Sequence, residues 1–216
     1  MAVELWLVRH GQAAFATGDY DRLTALGWDQ ARWLGEHLAT RGLTFDRIVA
    51  GTLRRQQETA EALAGQIGGS VETVPGLEEY NPADILLAHG SAPHQTEDRR
   101  GHFRALRAAL IAWSEGRLDG VAEPFDAFAA RIQAAIADLT NVCQGRILAA
   151  TSGGVIGYVV GTALGANGAR MVDLNLQARN SSVTRLIVTR QAMILNMFNA
   201  IPHLEHPDRA SAETYS

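Results

Sequence analysis

Short apolar runs alternate along the chain with longer segments in which apolar residues recur every three or four positions. The short runs predict strands covered on both faces of a sheet, and the longer segments predict amphipathic helices. The predicted strands cover residues 3–8, 46–50, 70–74, 146–151, 182–189 and 193–198, and the predicted helices cover residues 24–41, 53–66 and 153–164. This alternation predicts a three-layer α/β/α fold, with a mostly parallel sheet between helices. The last two strands are close in sequence and are expected to form a hairpin.

The stretch from about residue 84 to residue 141 breaks the alternation. Its sequences RGHFRALRAALIAW and PFDAFAARIQAAIADL place apolar residues at helical spacing throughout. We therefore expect a helical insertion over the end of the sheet at which α/β proteins bind their ligands. The chain has 216 residues, enough for one large core, and we expect residues 1–216 to form a single domain.

Composition narrows the classes of function. A net charge of −4 and the lack of a stripe rich in lysine and arginine argue against nucleic-acid binding. Cys143 is the only cysteine, which excludes a disulfide framework and a thiolate metal cluster and favours the cytoplasm. We expect no membrane association, because no apolar segment approaches the length of a bilayer-spanning helix.

Chemically active side chains follow four of the predicted strands. Because the carboxyl ends of parallel strands meet at one edge of the sheet, these side chains should converge there. The segments are Arg9-His10-Gly11-Gln12, Arg54-Arg55, Glu78-Glu79 and Thr151-Ser152-Gly153-Gly154. Arginine forks and the N–H groups of a helix start suit a phosphate, histidine can attack phosphorus, and a carboxylic acid can protonate a leaving oxygen. Each motif alone is typical of a solvated loop, but their convergence predicts a phosphate site.

The same motifs resemble those of a known family. LVRHGQ followed by DRLTALGWDQA is similar to the opening of the histidine phosphatase superfamily, also called phosphoglycerate mutase-like. TLRRQQETAEAL resembles its second arginine motif, GLEEYNP its glutamate segment, and VTRLIV with ILNMFNAIPHL its closing strands. The resembling motifs occur in the family's order over nearly the whole chain.

The resemblance implies a phosphatase that uses neither a metal nor another cofactor. His10 would attack phosphorus and become a phosphohistidine, and Glu79 would protonate the leaving oxygen. The phosphate-binding residues implied are Arg9, Gln12, Arg55, Ser152 and Gly153. The substrate would be a small phosphorylated metabolite or a phosphoprotein, and a homodimer is a candidate assembly.

One position departs from the family pattern. LAATSGGVIG resembles the family's V-x-S-H-G-G segment, in which the second catalytic histidine lies where this chain has Ser152. A serine hydroxyl can hydrogen-bond a phosphoryl oxygen but supplies no cation, which predicts a rate loss of about 10²–10³. His89, His94 and His102, all in the insertion, are candidates for replacing the missing imidazole.

Two other functions compete with the phosphatase. Loss of the second histidine is also expected in a pseudoenzyme that binds a phosphate or a phosphoprotein without turnover. Alternatively Ser152 could be the nucleophile of a serine hydrolase, with Asp173 and His203 following in the chain order of such a triad. The hydrolase leaves the arginines and Glu79 without a role. Ala13 and Ala16 stand where mutases carry polar substrate contacts, which disfavours a glycolytic mutase.

Overall fold

A computed structural model describes residues 2–14, 21–91, 99–143 and 145–215. The strands are β1 (Val3–Arg9), β2 (Arg47–Ala50), β3 (Val71–Thr73), β4 (Arg146–Thr151), β5 (Val183–Val188) and β6 (Met193–Ala200). The helices are α1 (Ala25–Thr40), α2 (Arg54–Ile67), α3 (Pro82–Ala88), α4 (Arg99–Ser114), α5 (Phe125–Val142), α6 (Gly153–Ala163) and α7 (Gly168–Leu176), with 3₁₀ turns at Pro75–Leu77 and Pro207–Ala212. Within the described ranges, none of the helices has the length and apolar character needed to cross a bilayer.

The strands form one mixed sheet in the order β3-β2-β4-β1-β5-β6. The four strands β3, β2, β4 and β1 run parallel, whereas β5 pairs antiparallel with β1 and with β6. The last two strands form the expected hairpin, closed by a 2.8 Å bond from Thr189 N to Ala192 O. The prediction of a mostly parallel α/β fold is therefore confirmed.

Alternate residues of the central strand β1 enter two different apolar cores. Leu5 and Leu7 pack with residues of α5 and α6 on one face of the sheet. Trp6 and Val8 pack with residues of α1 and α2 on the other face. Because successive side chains of a strand point to opposite faces, helices cover the sheet on both sides, as predicted.

The described part of the stretch 84–141 consists mainly of the helices α3, α4 and α5, with turns and bends at residues 115–124 between α4 and α5. Phe128 and Ile132 of α5 belong to the core on the α6 face of the sheet. The guanidinium of Arg131 donates to the carbonyl oxygens of Gly76 (3.1 Å) and Glu78 (2.7 Å). These bonds attach α5 to the segment after β3, at the end of the sheet where the candidate site lies.

Helix α7 was missed by the sequence analysis. It is nine residues long, which is too short for helical spacing alone to identify it. Asn167 caps it by accepting a 3.1 Å bond from Arg170 N. Two glycines of α6 let α7 approach closely, since a Cβ on Gly157 would lie 2.6 Å from Met171 O and one on Gly161 would lie 2.3 Å from Met171 Cγ.

Candidate active site

His10 follows the end of β1 and is 3% exposed. Its backbone N–H donates to Thr151 O at 2.9 Å, which ties it to the end of β4. Its Nδ1 lies 2.8 Å from Gly11 O. A carbonyl oxygen only accepts, so we assign the imidazole proton to Nδ1 and the lone pair to Nε2. The geometry therefore presents Nε2 as the nucleophilic atom.

Arg55 lies directly against this nitrogen. Its Nε donates to His10 Nε2 at 3.2 Å. Burial, and then the charges of Arg55 and Arg9, lower the pKa of His10 well below its ordinary value, against the opposing hydrogen bond to Gly11. The imidazole is consequently neutral at ordinary pH, as a nucleophile must be.

The turn after His10 depends on two glycines of the predicted motifs. A Cβ on Gly11 would lie 2.3 Å from Gly27 O, and a Cβ on Gly27 would lie 2.2 Å from Gln12 O. Thr24 caps α1, since its hydroxyl accepts from Gly27 N at 3.0 Å. Backbone contact between the two segments therefore requires glycine at both positions.

Asp21 compensates the two arginines at the start of α2. Its Oδ1 pairs with Arg55 Nη1 at 2.7 Å, and its Oδ2 accepts from Arg54 N at 2.9 Å. Arginines oppose the dipole at a helix start unless an anion is near, and Asp21 is that anion. Asp21 opens the motif DRLTALGWDQA, but the motif alone does not show which residues it pairs with.

Glu79 lies in the chain between the 3₁₀ turn Pro75–Leu77 and α3, and its side chain contacts the N-terminal end of α6. Its Oε2 accepts from Gly154 N at 2.8 Å, and its Oε1 accepts from Tyr80 N at 3.1 Å. Burial raises the pKa of Glu79, whereas the hydrogen bonds to Gly154 and Tyr80 and the charges of Arg55 and Arg9 oppose the shift. Position 154 must be glycine, because a Cβ there would lie 2.1 Å from Glu79 Oε1. A raised pKa suits a carboxyl group that donates a proton.

Ser152 is the residue before α6 and is 1% exposed. Its Oγ accepts from Gln56 Nε2 at 2.8 Å. The next residue, Gly153, begins the helix, and a Cβ on it would lie 2.5 Å from Asn175 Oδ1. Asn175 also donates to the hydroxyl of Tyr80 at 2.8 Å, so the missed helix α7 holds the segment that carries Glu79.

Arg9 and Gln12 lie at the rim of the site. Nη1 of Arg9 donates to Ala178 O and, at 3.1 Å, to Tyr215 O. Its charge acts on His10, and on Glu79 as described above. Gln12 has its Oε1 2.9 Å from the hydroxyl of Thr24, so its side chain lies against the start of α1.

A buried hydrogen-bond network supports the backbone around His10. Gln12 N donates to Gln30 Oε1 at 2.8 Å, and Gln30 Nε2 donates to Thr214 Oγ1 at 2.9 Å. Thr214 Oγ1 donates to Asn180 Oδ1 at 2.9 Å, and Asn180 Nδ2 donates to His10 O at 3.1 Å. We call these residues the backing network. No sequence pattern predicts it, because its members lie far apart in the chain.

The histidines of the insertion do not complete the site among the described residues. His89 is exposed after α3 and has its Nδ1 3.0 Å from Ser91 Oγ. His102 lies on α4, where no hydrogen bond in the described ranges links it to His10. His94 lies outside the described residues.

The serine hydrolase triad is not assembled, so that alternative is wrong. Asp173 pairs with Arg107 at 2.8 Å. The buried His203 has its Nε2 2.8 Å from Ser181 Oγ, which occupies the atom a triad would use. Ser152 bonds to neither of these residues in the described structure and lacks the base that a nucleophilic serine needs.

The assembled groups suit transfer of a phosphoryl group. An imidazole and a carboxyl group with shifted pKa values, two guanidinium groups and a buried hydroxyl belong to segments that meet at one edge of the sheet. Over the described ranges, no cluster of three or more His, Cys, Asp and Glu side chains could hold a metal ion. The fold and the site together define a protein of the histidine phosphatase type.

Comparison with known proteins gives the family. The sequence model of the histidine phosphatase superfamily (branch 1) matches residues 5–201. The chain therefore belongs to the histidine phosphatase superfamily, as its motifs predicted. It is similar to the probable phosphoglycerate mutase GpmB of Enterobacter sp. (strain 638), with 30% identity over 218 residues, 95% of this chain and 96% of that protein. It is also similar to the adenosylcobalamin/alpha-ribazole phosphatase of Escherichia coli (strain K12), with 28% identity over 173 residues, 76% of this chain and 80% of that protein.

Solved structures show the same fold. A mycobacterial glucosyl-3-phosphoglycerate phosphatase in complex with inorganic phosphate matches with a TM-score of 0.69 and 24% identity, over 94% of this chain and 99% of that chain. A phosphoserine phosphatase mutant from Entamoeba histolytica in complex with phosphoserine matches with a TM-score of 0.69 and 21% identity, over 94% and 99% of the two chains. At these identities the likeness concerns the fold alone.

Proposed function

We propose that the chain is a phosphomonoesterase that acts through a phosphohistidine on His10, without a metal ion. The observation that carries this proposal is the orientation of the His10 imidazole, which contacts hold at both of its nitrogens. Its Nδ1 is held by Gly11 O at 2.8 Å, and its Nε2 lies 3.2 Å from Arg55 Nε. An oriented, neutral imidazole beside a guanidinium can attack a phosphoryl group that the guanidinium binds.

In the first step, Nε2 of His10 attacks phosphorus in line with the leaving oxygen. The bond from phosphorus to that oxygen breaks, and the carboxyl group of Glu79 gives the oxygen its proton. Arg9 and Arg55 bind the nonbridging oxygens, where charge is spread in the transition state. The Ser152 hydroxyl donates a further hydrogen bond to the phosphoryl group.

In the second step, a water molecule attacks the phosphohistidine from the side that the leaving group has vacated. The Glu79 carboxylate takes a proton from this water, which restores the carboxylic acid. The bond from phosphorus to Nε2 breaks, and inorganic phosphate and neutral His10 are released. Glu79 thus acts as acid and then as base.

A cavity of about 470 Å³ lies on the insertion side of Glu79 and is bounded by Tyr80, by Asp84 of α3, and by Glu123 and Arg131. Its lining does not include His10, so we assign to it only the leaving group, beside the carboxyl group that would protonate it. This volume suits a small organic group. We therefore favour a small phosphorylated metabolite as substrate.

The test is hydrolysis of p-nitrophenyl phosphate between pH 4 and pH 8 in the presence of EDTA. We expect His10→Ala to lower kcat by roughly 10³-fold or more, because the nucleophile is lost. The matched control is His89→Ala, which removes an exposed histidine of the insertion and should leave kcat unchanged. Turnover by His10→Ala at the wild-type rate would exclude the phosphohistidine.

A second candidate function rests on Ser152, which supplies no cation in place of the family's second histidine. In that case the chain binds a phosphate or a phosphoprotein without turnover. Calorimetry with inorganic phosphate would then show binding that Arg55→Ala removes, whereas no phosphomonoester would be hydrolysed.

A further inference from the structure

Gln56 is a completely buried amide at the third position of α2. Its Oε1 accepts from Leu53 N at 3.3 Å, so it caps the start of the helix. Gly51 leaves room for this oxygen, since a Cβ at position 51 would lie 2.1 Å from it. The carbonyl end of the amide is therefore held in one direction.

The other end of the amide faces two acceptors. Nε2 donates to Leu77 O at 3.2 Å and to Ser152 Oγ at 2.8 Å. Leu53 N can only donate and Leu77 O can only accept, so the amide cannot be flipped. Both protons of the NH₂ group are used, one of them on the serine oxygen.

The hydrogen bond from Gln56 restricts the direction in which the Ser152 hydroxyl can donate its own proton. Its oxygen accepts from Gln56, so its own proton must point in another direction. Among the described residues, this is the one hydrogen bond of the hydroxyl. Ser152 also lies between Thr151, whose carbonyl binds His10 N at 2.9 Å, and the helix start that holds Glu79.

Consecutive residues of α2 thus reach both sides of the site. Arg55 contacts His10 Nε2 at 3.2 Å, and Gln56 contacts Ser152 Oγ at 2.8 Å. The first turn of α2 therefore sets the position of the hydroxyl relative to the nucleophile.

We propose that Gln56 is a positioning residue that turns the Ser152 hydroxyl proton toward the phosphoryl group and makes it the replacement donor for the missing imidazole. The inference rests on the proposed phosphatase function. A hydroxyl that accepts one hydrogen bond is a stronger donor of the next. Unlike an imidazole, this pair does not titrate between pH 5 and pH 9.

The experiment compares Gln56→Leu, Ser152→Ala and the double variant, with p-nitrophenyl phosphate as substrate. The matched control is Gln57→Leu, because Gln57 donates to Gly51 O and to Thr73 Oγ1 (3.3 Å), away from the hydroxyl. We expect Gln56→Leu to lower kcat roughly tenfold with KM within about twofold of wild type. The double variant should be no slower than Ser152→Ala, and Gln57→Leu should keep the wild-type kcat.

A pH profile separates positioning from mere packing. In Gln56→Glu an ionised carboxylate can only accept, so it would take the hydroxyl proton of Ser152 away from the substrate. We expect this variant to lose kcat as the pH rises, with an ionisation that wild type lacks. Multiplying effects in the double variant, or equal kcat for the Gln56→Leu and Gln57→Leu variants, would overturn the proposal. If His10→Ala retained activity, the proposed function itself would fail, which is a separate outcome.

Discussion

The two sides of the candidate site differ in charge. On one side, His10 lies beside Arg55, which is paired with Asp21 at 2.7 Å. On the other side, the contact of Ser152 with Gln56 at 2.8 Å involves no ionised group. Both sides are buried, and both are attached to the first turn of α2.

The difference shows that the two sides are stabilised by different kinds of contact. Burying a cation without a partner is unfavourable, whereas a hydroxyl and an amide can satisfy each other in the same space. In the proposed mechanism the charged side binds and attacks phosphorus, and the neutral side orients a hydrogen-bond donor.

Glu79, which is bound by the start of α6 and lies in the field of Arg55, gives the largest effect. For an alkyl phosphate we expect Glu79→Gln to lower kcat by roughly 10²–10⁴-fold, because the leaving oxygen loses its acid. For p-nitrophenyl phosphate, whose leaving group needs no proton, the first step should be nearly unaffected. Phosphate release and pre-steady-state bursts with the two substrates measure the difference.

The same variant should lose a pH dependence of stability. The folded-state pKa of Glu79 is raised by burial above the ordinary 4.5, so wild-type stability falls as the pH rises above 4.5, where the unfolded chain is ionised. Glutamine does not titrate, although its NH₂ group cannot accept the bond from Gly154 N or Tyr80 N, which lowers the stability of the variant at every pH. Thermal unfolding at pH 4 and pH 7 should show a smaller change between the two pH values in the variant than in wild type, and an equal change would contradict this.

Arg55→Lys tests the charged side. Lysine keeps the charge but cannot contact His10 and Asp21 with one rigid fork. We expect kcat/KM to fall about 10²–10³-fold. The control is Arg54→Lys, because Arg54 is largely exposed and pairs with Glu58 at 2.7 Å. If both variants kept wild-type kcat/KM, the simultaneous contacts of the Arg55 guanidinium with His10 and Asp21 would not be needed for activity.

Returning a cation to the neutral side should accelerate the reaction. We expect Ser152→His combined with Gln56→Ala to raise kcat/KM roughly tenfold over Gln56→Ala, because an imidazolium is a stronger donor than a hydroxyl. Ser152→His alone should gain less, since Gln56 lies 2.8 Å from the serine oxygen and restricts the imidazole. A slower double variant would show that the site requires a neutral donor.

His203, away from both sides, should affect only stability. Burial, and then the charges of His37 and Arg209, lower the pKa of His203 to about 3. In the unfolded chain this imidazole binds a proton near pH 6.5, whereas in the folded chain it stays neutral down to about pH 3. The free energy of unfolding therefore falls as the pH drops below 6.5. Between pH 6.5 and pH 5 we expect this residue to account for a loss of about 2 kcal/mol.

Urea unfolding at pH 7 and at pH 5 measures that loss. His203→Gln should reduce the difference between the two pH values, whereas His206→Gln should not, because His206 is exposed beside Asp208. An unchanged pH dependence in His203→Gln would assign the acid sensitivity to other groups.

The sequence predicted what depends on local pattern. The predicted bounds of the fourth strand match the observed ones, and the helix predicted over residues 24–41 matches α1 with its cap Thr24, because both follow from neighbouring residues. The positions of His10 and Glu79 followed from the rule that parallel strands end at one edge. The contact of Gln56 with Ser152 could not be predicted, because it joins residues 96 positions apart that carry no shared motif.

The backing network has a consequence for protein synthesis. Gln30 and Thr214, which bond at 2.9 Å, are separated by 184 positions. The ribosome therefore makes the His10 loop well before it makes the residue that supports it. We expect chains that stop before Thr214 to lack this support and to hydrolyse p-nitrophenyl phosphate more slowly than the 216-residue chain.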